Sequence, residues 1–257
     1  MICRVRLLMS IILKSDREIA LMREAGRIVA RVLDMLTRNV RAGIKTRELD
    51  NLASQEIDRL GGRPSFKGYR GFPASICVSI NDEIVHGIPG NRVLSEGDIV
   101  SLDVGAIFQG FQGDAAITVG VGQVSREGWR LMETGRGALE AGISAARPGA
   151  RLGDISVSVQ EYAESRGYSV VREYGGHGIG KEMHEDPVVH NFGQAGTGLL
   201  LRRGMTLALE PMLNIGDWRT RVADDGWTVL TADGSLSAHF EHTIAITDGG
   251  AEVLTVC

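Results

Sequence analysis

The chain contains an internal duplication. Arg41-Ala-Gly-Ile-Lys-Thr-Arg-Glu-Leu49, running on to Gly61, has a counterpart in Arg147-Pro-Gly-Ala-Arg-Leu-Gly-Asp-Ile155, running on to Gly167, at a constant offset of 106 residues. Upstream, Arg17, Glu18, Glu24, Gly26 and Arg27 match Arg126, Glu127, Glu133, Gly135 and Arg136 at an offset of 109. Downstream, Leu94, Gly97 and Asp103 match Leu201, Gly204 and Glu210 at an offset of 107. Small insertions or deletions account for the changes of offset. This many matches in order mark two related halves, about 15–120 and 121–257. Whatever the first half builds the second must build again, and the two must pack together.

Each half reads as helix, helix, then strands. Ser15 and Glu18 form a capping box, so a helix should begin there. Ile19, Met22, Gly26, Val29, Leu33 and Leu36 follow at helical spacing and form one buried face. Leu49, Leu52, Ala53, Ile57 and Leu60 form the next, stopped by Gly61-Gly62. Ile76, Val78 and Ile80 alternate as a half-buried strand does. The second half predicts helices near 126–146 and 153–166, then strands. The expected fold is α+β, with the helices of both halves on one side of a curved antiparallel sheet.

The duplication extends to the acidic residues, since Asp103 and Glu210 are symmetry mates. Two copies of one strand, each bringing a carboxylate, would place both acids near a shared pseudo-twofold axis. Asp103 also has a local neighbour. Ile99, Ser101 and Asp103 share one strand face, and Asp114, Ala116 and Thr118 share a face of the returning strand. With Gln109-Gly110 as a two-residue hairpin loop, Phe108 faces Phe111 and Asp114 faces Gly105. Asp103 is then the diagonal same-face neighbour of Asp114, at roughly 7–8 Å or less between Cβ atoms. Carboxylates that close repel unless a cation or a shared proton lies between them. A solvated sheet edge is the alternative, whereas apolar Val100, Leu102 and Val104 on the opposite face suggest a sheet buried at least on that side.

The histidines add to the acids. His177 lies among glycines in Tyr174-Gly-Gly-His-Gly-Ile-Gly180, which the sequence reads as a turning segment that leaves the imidazole uncrowded. The run is not GxGxxG, so it is no dinucleotide loop. His184-Glu185 lacks a second His at HExxH spacing, which excludes a zincin. Glu241-His242 lies on another strand, and His86 precedes Gly87-Ile-Pro89. Singly, each histidine could be an ordinary structural residue.

Together these residues resemble the type I methionine aminopeptidases, enzymes of the creatinase or "pita-bread" fold. The motifs are Gly71-Phe-Pro-Ala-Ser-Ile-Cys77, Asn81-Asp-Glu-Ile-Val-His-Gly-Ile-Pro89, Gly97-Asp-Ile-Val-Ser-Leu-Asp103, Gly113-Asp114, Gly176-His-Gly-Ile-Gly180, Glu210-Pro-Met212 and Glu241-His-Thr243, spread over nearly all of 15–255. The resemblance implies a metalloaminopeptidase that removes the initiator methionine from nascent proteins, preferring a small second residue. It implies two divalent ions (Co, Mn, Fe or Zn), held by Asp103, Asp114, His177, Glu210 and Glu241, with Asp114 and Glu241 bridging. A water activated between the ions would attack the carbonyl. Glu210 would shuttle the proton, His184 would donate to the developing oxyanion, and His86 would contact the scissile nitrogen. Phe66, Tyr69, Phe72, Cys77, Met183 and Trp227 would line the methionine pocket, beside His86 and His184. Met183, Val85 and Gln112 depart from residues frequent in the family, and none is a ligand position.

Composition narrows the remaining readings. A net charge of -4 with a pI near 5.9 argues against nucleic-acid binding. Cys3, Cys77 and Cys257 are scattered and suggest neither a disulfide framework nor a CxxC metal site, so a reducing cytoplasm is expected. Arg4 and Arg6 before the apolar run Leu7–Leu13 resemble a weak signal peptide, but Lys14 closes the run with no small-residue cleavage site. The sequence reading is a dispensable extension over 1–14, with translation starting at Met1 or Met9. The expected partners are nascent chains met transiently near the ribosome, with no membrane, and the enzyme is expected to be a monomer. The rivals are a proline-directed peptidase, which usually carries an additional N-terminal domain, and a binding protein on the same fold without catalysis.

Overall fold

The computed structural model describes residues 11–257, so the Arg4–Arg6 leader and both candidate starts lie outside the described residues. Helix α1 (Asp16–Asn39) begins at the expected capping box, in which the Ser15 amide donates to Glu18 Oε2 at 2.9 Å. All six residues read as its apolar face are buried. Helix α2 (Thr46–Arg59) follows. Thr46, Leu49, Ala53 and Ile57 are buried, whereas Leu52 and Leu60 are only half-buried at the margin of the core. Helices α3 (Arg126–Ala145) and α4 (Leu152–Glu164) repeat the pair within two residues of the expected spans.

The duplicated residues do the same work twice. The Lys45 amide that precedes α2 donates to Glu48 Oε1 at 2.9 Å, and the Arg151 amide before α4 donates to Asp154 Oδ2 at 2.7 Å. Each acid satisfies a helix-start amide that has no partner within the helix. Gly43 and Gly149 share φ values of 89° and 85°, a left-handed conformation that glycine adopts without strain. Their amides donate to the carbonyls of the duplicated Leu94 and Leu201, at 2.8 and 3.1 Å.

Eight strands position the site. They are β1 (Ile76–Ile80), β2 (Ile99–Phe108), β3 (Phe111–Gly120), β4 (Gly176–Gly178), β5 (Thr206–Leu209), β6 (Met212–Asn214), β7 (Ser237–His239) and β8 (His242–Thr247). Every strand pairing among the described residues is antiparallel. Among the described residues the regular ladders form four sheets. At the seam between halves, Ala116 of β3 and Glu241 exchange backbone hydrogen bonds of 2.8 and 3.3 Å.

Helix α1 lies unusually close to β3. A Cβ on Gly113 would stand 2.7 Å from the Gly26 nitrogen and 2.8 Å from the Ala25 carbonyl carbon. Because backbone cannot give way, Gly113→Ala is expected to destabilise by about 3 kcal/mol, the upper end of ordinary overpacking. Urea unfolding measures this, and an unchanged midpoint would show that the helix can move off the strand.

The apolar core follows the halves. One cluster is built on Val32, Leu36, Leu49, Ile57 and Leu102, a second on Leu131, Ile155, Leu207, Leu213 and Ile244. A third, containing Phe66, Phe72, Cys77, Met183 and Ala245, draws on both halves. Lys14, read from sequence as part of an extension, is instead packed into the fold. It is buried and pairs with Glu185, and its amide donates to the Gly204 carbonyl at 2.7 Å.

Candidate metal centre

Strand register assembles the acids. In β2 and β3, Phe108 pairs with Phe111, Gly105 with Asp114 and Asp103 with Ala116, as the hairpin reading expects. Cys77 lies across from Asp103 on the other side. Residues directly opposite in an antiparallel pair point to the same face. The row Cys77, Asp103, Ala116, Glu241 therefore shares one face, and Asp114, two residues from Ala116, shares it too. On the second half His177 pairs with Ala208, which pairs with Thr243. Glu210 follows two residues after Ala208, just beyond β5. Thr243 ties the halves together: its Oγ1 accepts from the Asp114 amide at 3.0 Å and donates to the Asp114 carbonyl at 2.8 Å.

The glycines around His177 act differently from the sequence reading. Gly176 and Gly178 lie within β4 rather than in a turn. A Cβ on Gly176 would come within 2.2 Å of the Ala208 carbonyl oxygen, and one on Gly178 within 2.2 Å of the Asp186 carbonyl oxygen. They allow close backbone approach on both sides, which buries the imidazole among the acids.

Ligand-type atoms of Asp114, His177 and Glu241 lie within 4.8 Å of one another. Glu210 Oε1 is 3.7 Å from His177 Nε2. All thirteen residues expected at the site line one cavity of about 140 Å³. Asp103 Oδ1, Asp114 Oδ1 and Glu241 Oε1 are buried with no hydrogen-bond partner. Burial raises the Asp103 carboxyl to about 7. Burial, then the charges of Glu241 and Asp103, push Asp114 well above the carboxylate range. Burial and neighbouring acids raise Glu210 and Glu241 likewise. Burial and the nearby His184 lower His177 to about 4, which keeps it a neutral nitrogen donor. Clustered acids with orphaned oxygens and one neutral imidazole suit divalent metal ions, which satisfy both the charge and the lone pairs.

The apolar wall is Phe66, Phe72, Cys77, Met183 and Trp227, with Phe72 and Trp227 edge-to-face at 5.2 Å. The Tyr69 hydroxyl lies 2.9 Å from His184 Nδ1, and the two rings stack at 5.5 Å. His86 has a left-handed backbone (φ 61°) and places its ring edge-on to Trp227 at 6.5 Å. Burial, then Asp103 and Asp114, pushes the Cys77 thiol well up, so little thiolate forms. Exposed Cys257 is expected to react with iodoacetamide in the folded protein while Cys77 stays unlabelled. Peptide mass mapping checks this, and equal labelling of the two would contradict the burial argument.

The profile described as metallopeptidase family M24 matches residues 20–248. The chain belongs to this family. A methionine aminopeptidase of Clostridium acetobutylicum is 53% identical over 96% of this chain and 99% of its own length. The crystal structure of the methionine aminopeptidase of Thermotoga maritima superposes with a TM-score of 0.95 at 48% identity, covering 96% of this chain and 100% of that one. An Xaa-Pro dipeptidase from Bacillus anthracis is similar at a TM-score of 0.75 and 25% identity, with 95% of this chain covering 61% of that one. The fold is the pita-bread fold of these peptidases.

Sequence reading missed two residues at this M24 site. Arg70, left-handed at φ 50°, lies at the cavity mouth with its guanidinium 5.3 Å from the Tyr69 ring centre. No spacing rule marks it. His239 is buried beside Glu210 and Glu241. It precedes Glu241 by two residues, so period two was the available clue. No helix among the described residues is long and apolar enough to cross a membrane.

Proposed function

We infer that this M24 peptidase is a methionine aminopeptidase, which hydrolyses the first peptide bond of nascent chains that begin with methionine and have a small second residue. The observation that carries the reading is one cavity joining the acid–imidazole cluster to an apolar pocket, in a chain 53% identical to a methionine aminopeptidase. Asp103, Asp114, His177, Glu210 and Glu241 would hold two divalent ions. Bound there, such ions supply an activated water and polarise the scissile carbonyl.

The protein's own groups do the rest. The first side chain enters between Phe66, Phe72, Cys77, Met183 and Trp227, whose soft contacts suit a thioether. The substrate's α-amine meets the acids, so only a chain terminus is accepted. Glu210 takes the proton from the attacking water and returns it to the leaving amine. Burial lowers His184, with the Arg70 charge adding to it, so the imidazole is neutral. With Tyr69 donating to Nδ1, the proton sits on Nε2, which donates to the developing oxyanion. Burial lowers His86 to about 4, and its neutral ring contacts the scissile nitrogen. A nascent-chain substrate supports an enzyme of the cytoplasm that meets its substrates near the ribosome, and we expect it to act as a monomer.

Metal-stripped protein is titrated with Mn, Fe, Co and Zn on Met-Ala-Ser, beside Glu210→Gln. Metal-dependent release of methionine that the variant loses is expected, with Met-Leu and Met-Lys peptides cleaved more slowly than Met-Ala. Release from Ala-Pro alone would favour a proline-directed peptidase, and no release with any metal a binding protein.

A further inference from the structure

We propose that His239 is a positioning residue, which holds the carboxylates of Glu210 and Glu241 in place to receive metal. The proposal rests on the ligand reading above. His239 ends β7 and is 2% exposed. Its Nε2 lies 3.7 Å from Glu241 Oε2 and 3.9 Å from Glu210 Oε2. Neither ring nitrogen has a hydrogen-bond partner among the described residues. Leaving a buried polar group unsatisfied costs about 1–3 kcal/mol, so an imidazole that only filled space would be worse than an aliphatic side chain there.

The backbone keeps the ring from withdrawing. Thr118 Oγ1 accepts from the His239 amide at 2.9 Å and donates to the His239 carbonyl at 2.8 Å. Met212 pairs with His239 on the far side. The acids are arranged to match. Glu210 spans two imidazoles, with Oε1 toward His177 at 3.7 Å and Oε2 toward His239 at 3.9 Å. Glu241 turns Oε2 toward the same nitrogen and leaves Oε1 unpartnered. The separations exceed the 2.7–3.2 Å of a formed N–H···O bond by about half an ångström or more. A small shift of either glutamate as its charge is neutralised brings an outer oxygen onto Nε2–H and leaves the inner oxygen for the ion. Such contacts fix ligand orientation, and losing them typically costs about 10–100-fold in metal affinity.

The test is calorimetric titration of Mn into metal-stripped wild type, His239→Gln and His239→Leu, with visible absorption of the Co(II) forms. His239→Leu is expected to weaken the tighter site about 10–100-fold. His239→Gln, which keeps an N–H donor, should stay within a few-fold of wild type. The Co(II) bands of His239→Gln should not move, because the ligand set is unchanged. Wild-type affinity in the Leu variant would overturn the proposal, and so would shifted Co(II) bands in the Gln variant, which would make His239 a ligand. Should the Leu variant fail to fold, His239→Asn, too short to reach both glutamates, is expected to show the same loss. Failure of the wild type to bind Mn would overturn the ligand reading itself, whereas tight wild-type binding with indifferent variants overturns only the role of His239.

Discussion

Asp114→Asn should lower metal-dependent hydrolysis of Met-Ala-Ser about 10³-fold and, in the same protein, raise the thermal stability of the metal-free form. Asp114 is the residue common to the closest cluster, with ligand-type atoms within 4.8 Å of those of His177 and Glu241. Losing several kcal/mol of metal-supplied stabilisation corresponds to about three powers of ten in rate. The fold should not suffer, because Thr243 holds Asp114 through its backbone amide and carbonyl, which Asn retains. Removing one of four crowded acids relieves both its burial and the repulsion from Glu241 and Asp103. The expected gain is about 1–2 kcal/mol, the exchange of activity for stability found where a site is built against its own electrostatics. Steady-state kinetics with Mn and thermal unfolding in chelator read the two effects. A variant that kept a tenth of the activity, or was less stable without metal, would remove Asp114 from the centre of the site.

Metal-free protein should lose stability as the pH rises from 6.5 through 7, and metal should abolish that loss. The carboxyl of Asp103 is raised by burial to about 7, and Asp114, Glu210 and Glu241 are raised well above their ordinary values by burial and by each other. A group whose folded pKa is raised stabilises the fold fully below its unfolded pKa, and that stability is lost as pH climbs toward the folded value. Each acid protonated in the fold and ionised in the unfolded chain contributes a slope of about 1.4 kcal/mol per pH unit. Buried imidazoles act in the opposite sense. His86, His177 and His242 are lowered to about 4 and His239 to about 3, chiefly by burial. They favour the fold above their ordinary value near 6.5, and that contribution is lost as the pH falls toward 4. Below 6.5 the two sets oppose each other, whereas above it the acids act alone. Bound divalent ions hold the same acids ionised, so the metal-loaded protein should unfold at nearly constant temperature as the pH rises from 6.5 through 7. Parallel curves with and without Mn would show that these four carboxylates are not neutralised by metal.

The local structure was legible because local chemistry decides it. The capping box at Ser15, the apolar face of α1 and the Gln109-Gly110 hairpin depend on residues a few positions apart, and the hairpin alone put Asp103 and Asp114 on one face. The duplication extended that reading to the second half, where Glu48 and Asp154 make the same helix-start contact. Other features followed from contacts between segments distant in the chain. Gly176 and Gly178 look like turn formers in the sequence, whereas in the fold the carbonyls of Ala208 and Asp186 stand against their α-carbons. Lys14 reads as part of a dispensable extension because Glu185, its partner, lies far along the chain.

The sequence by itself determined the two-fold repeat of helix, helix and strands, and which side chains could share a strand face, since period and capping act over a few residues. Only the tertiary structure decided that the halves meet at Ala116 and Glu241, that Thr243 holds Asp114 across that seam, and that His239 faces two of the acids from behind. The physical reason is burial. A carboxylate on a strand is an ordinary polar group until a second half of the chain removes its water, and only then do four acids and their histidines become a site for metal.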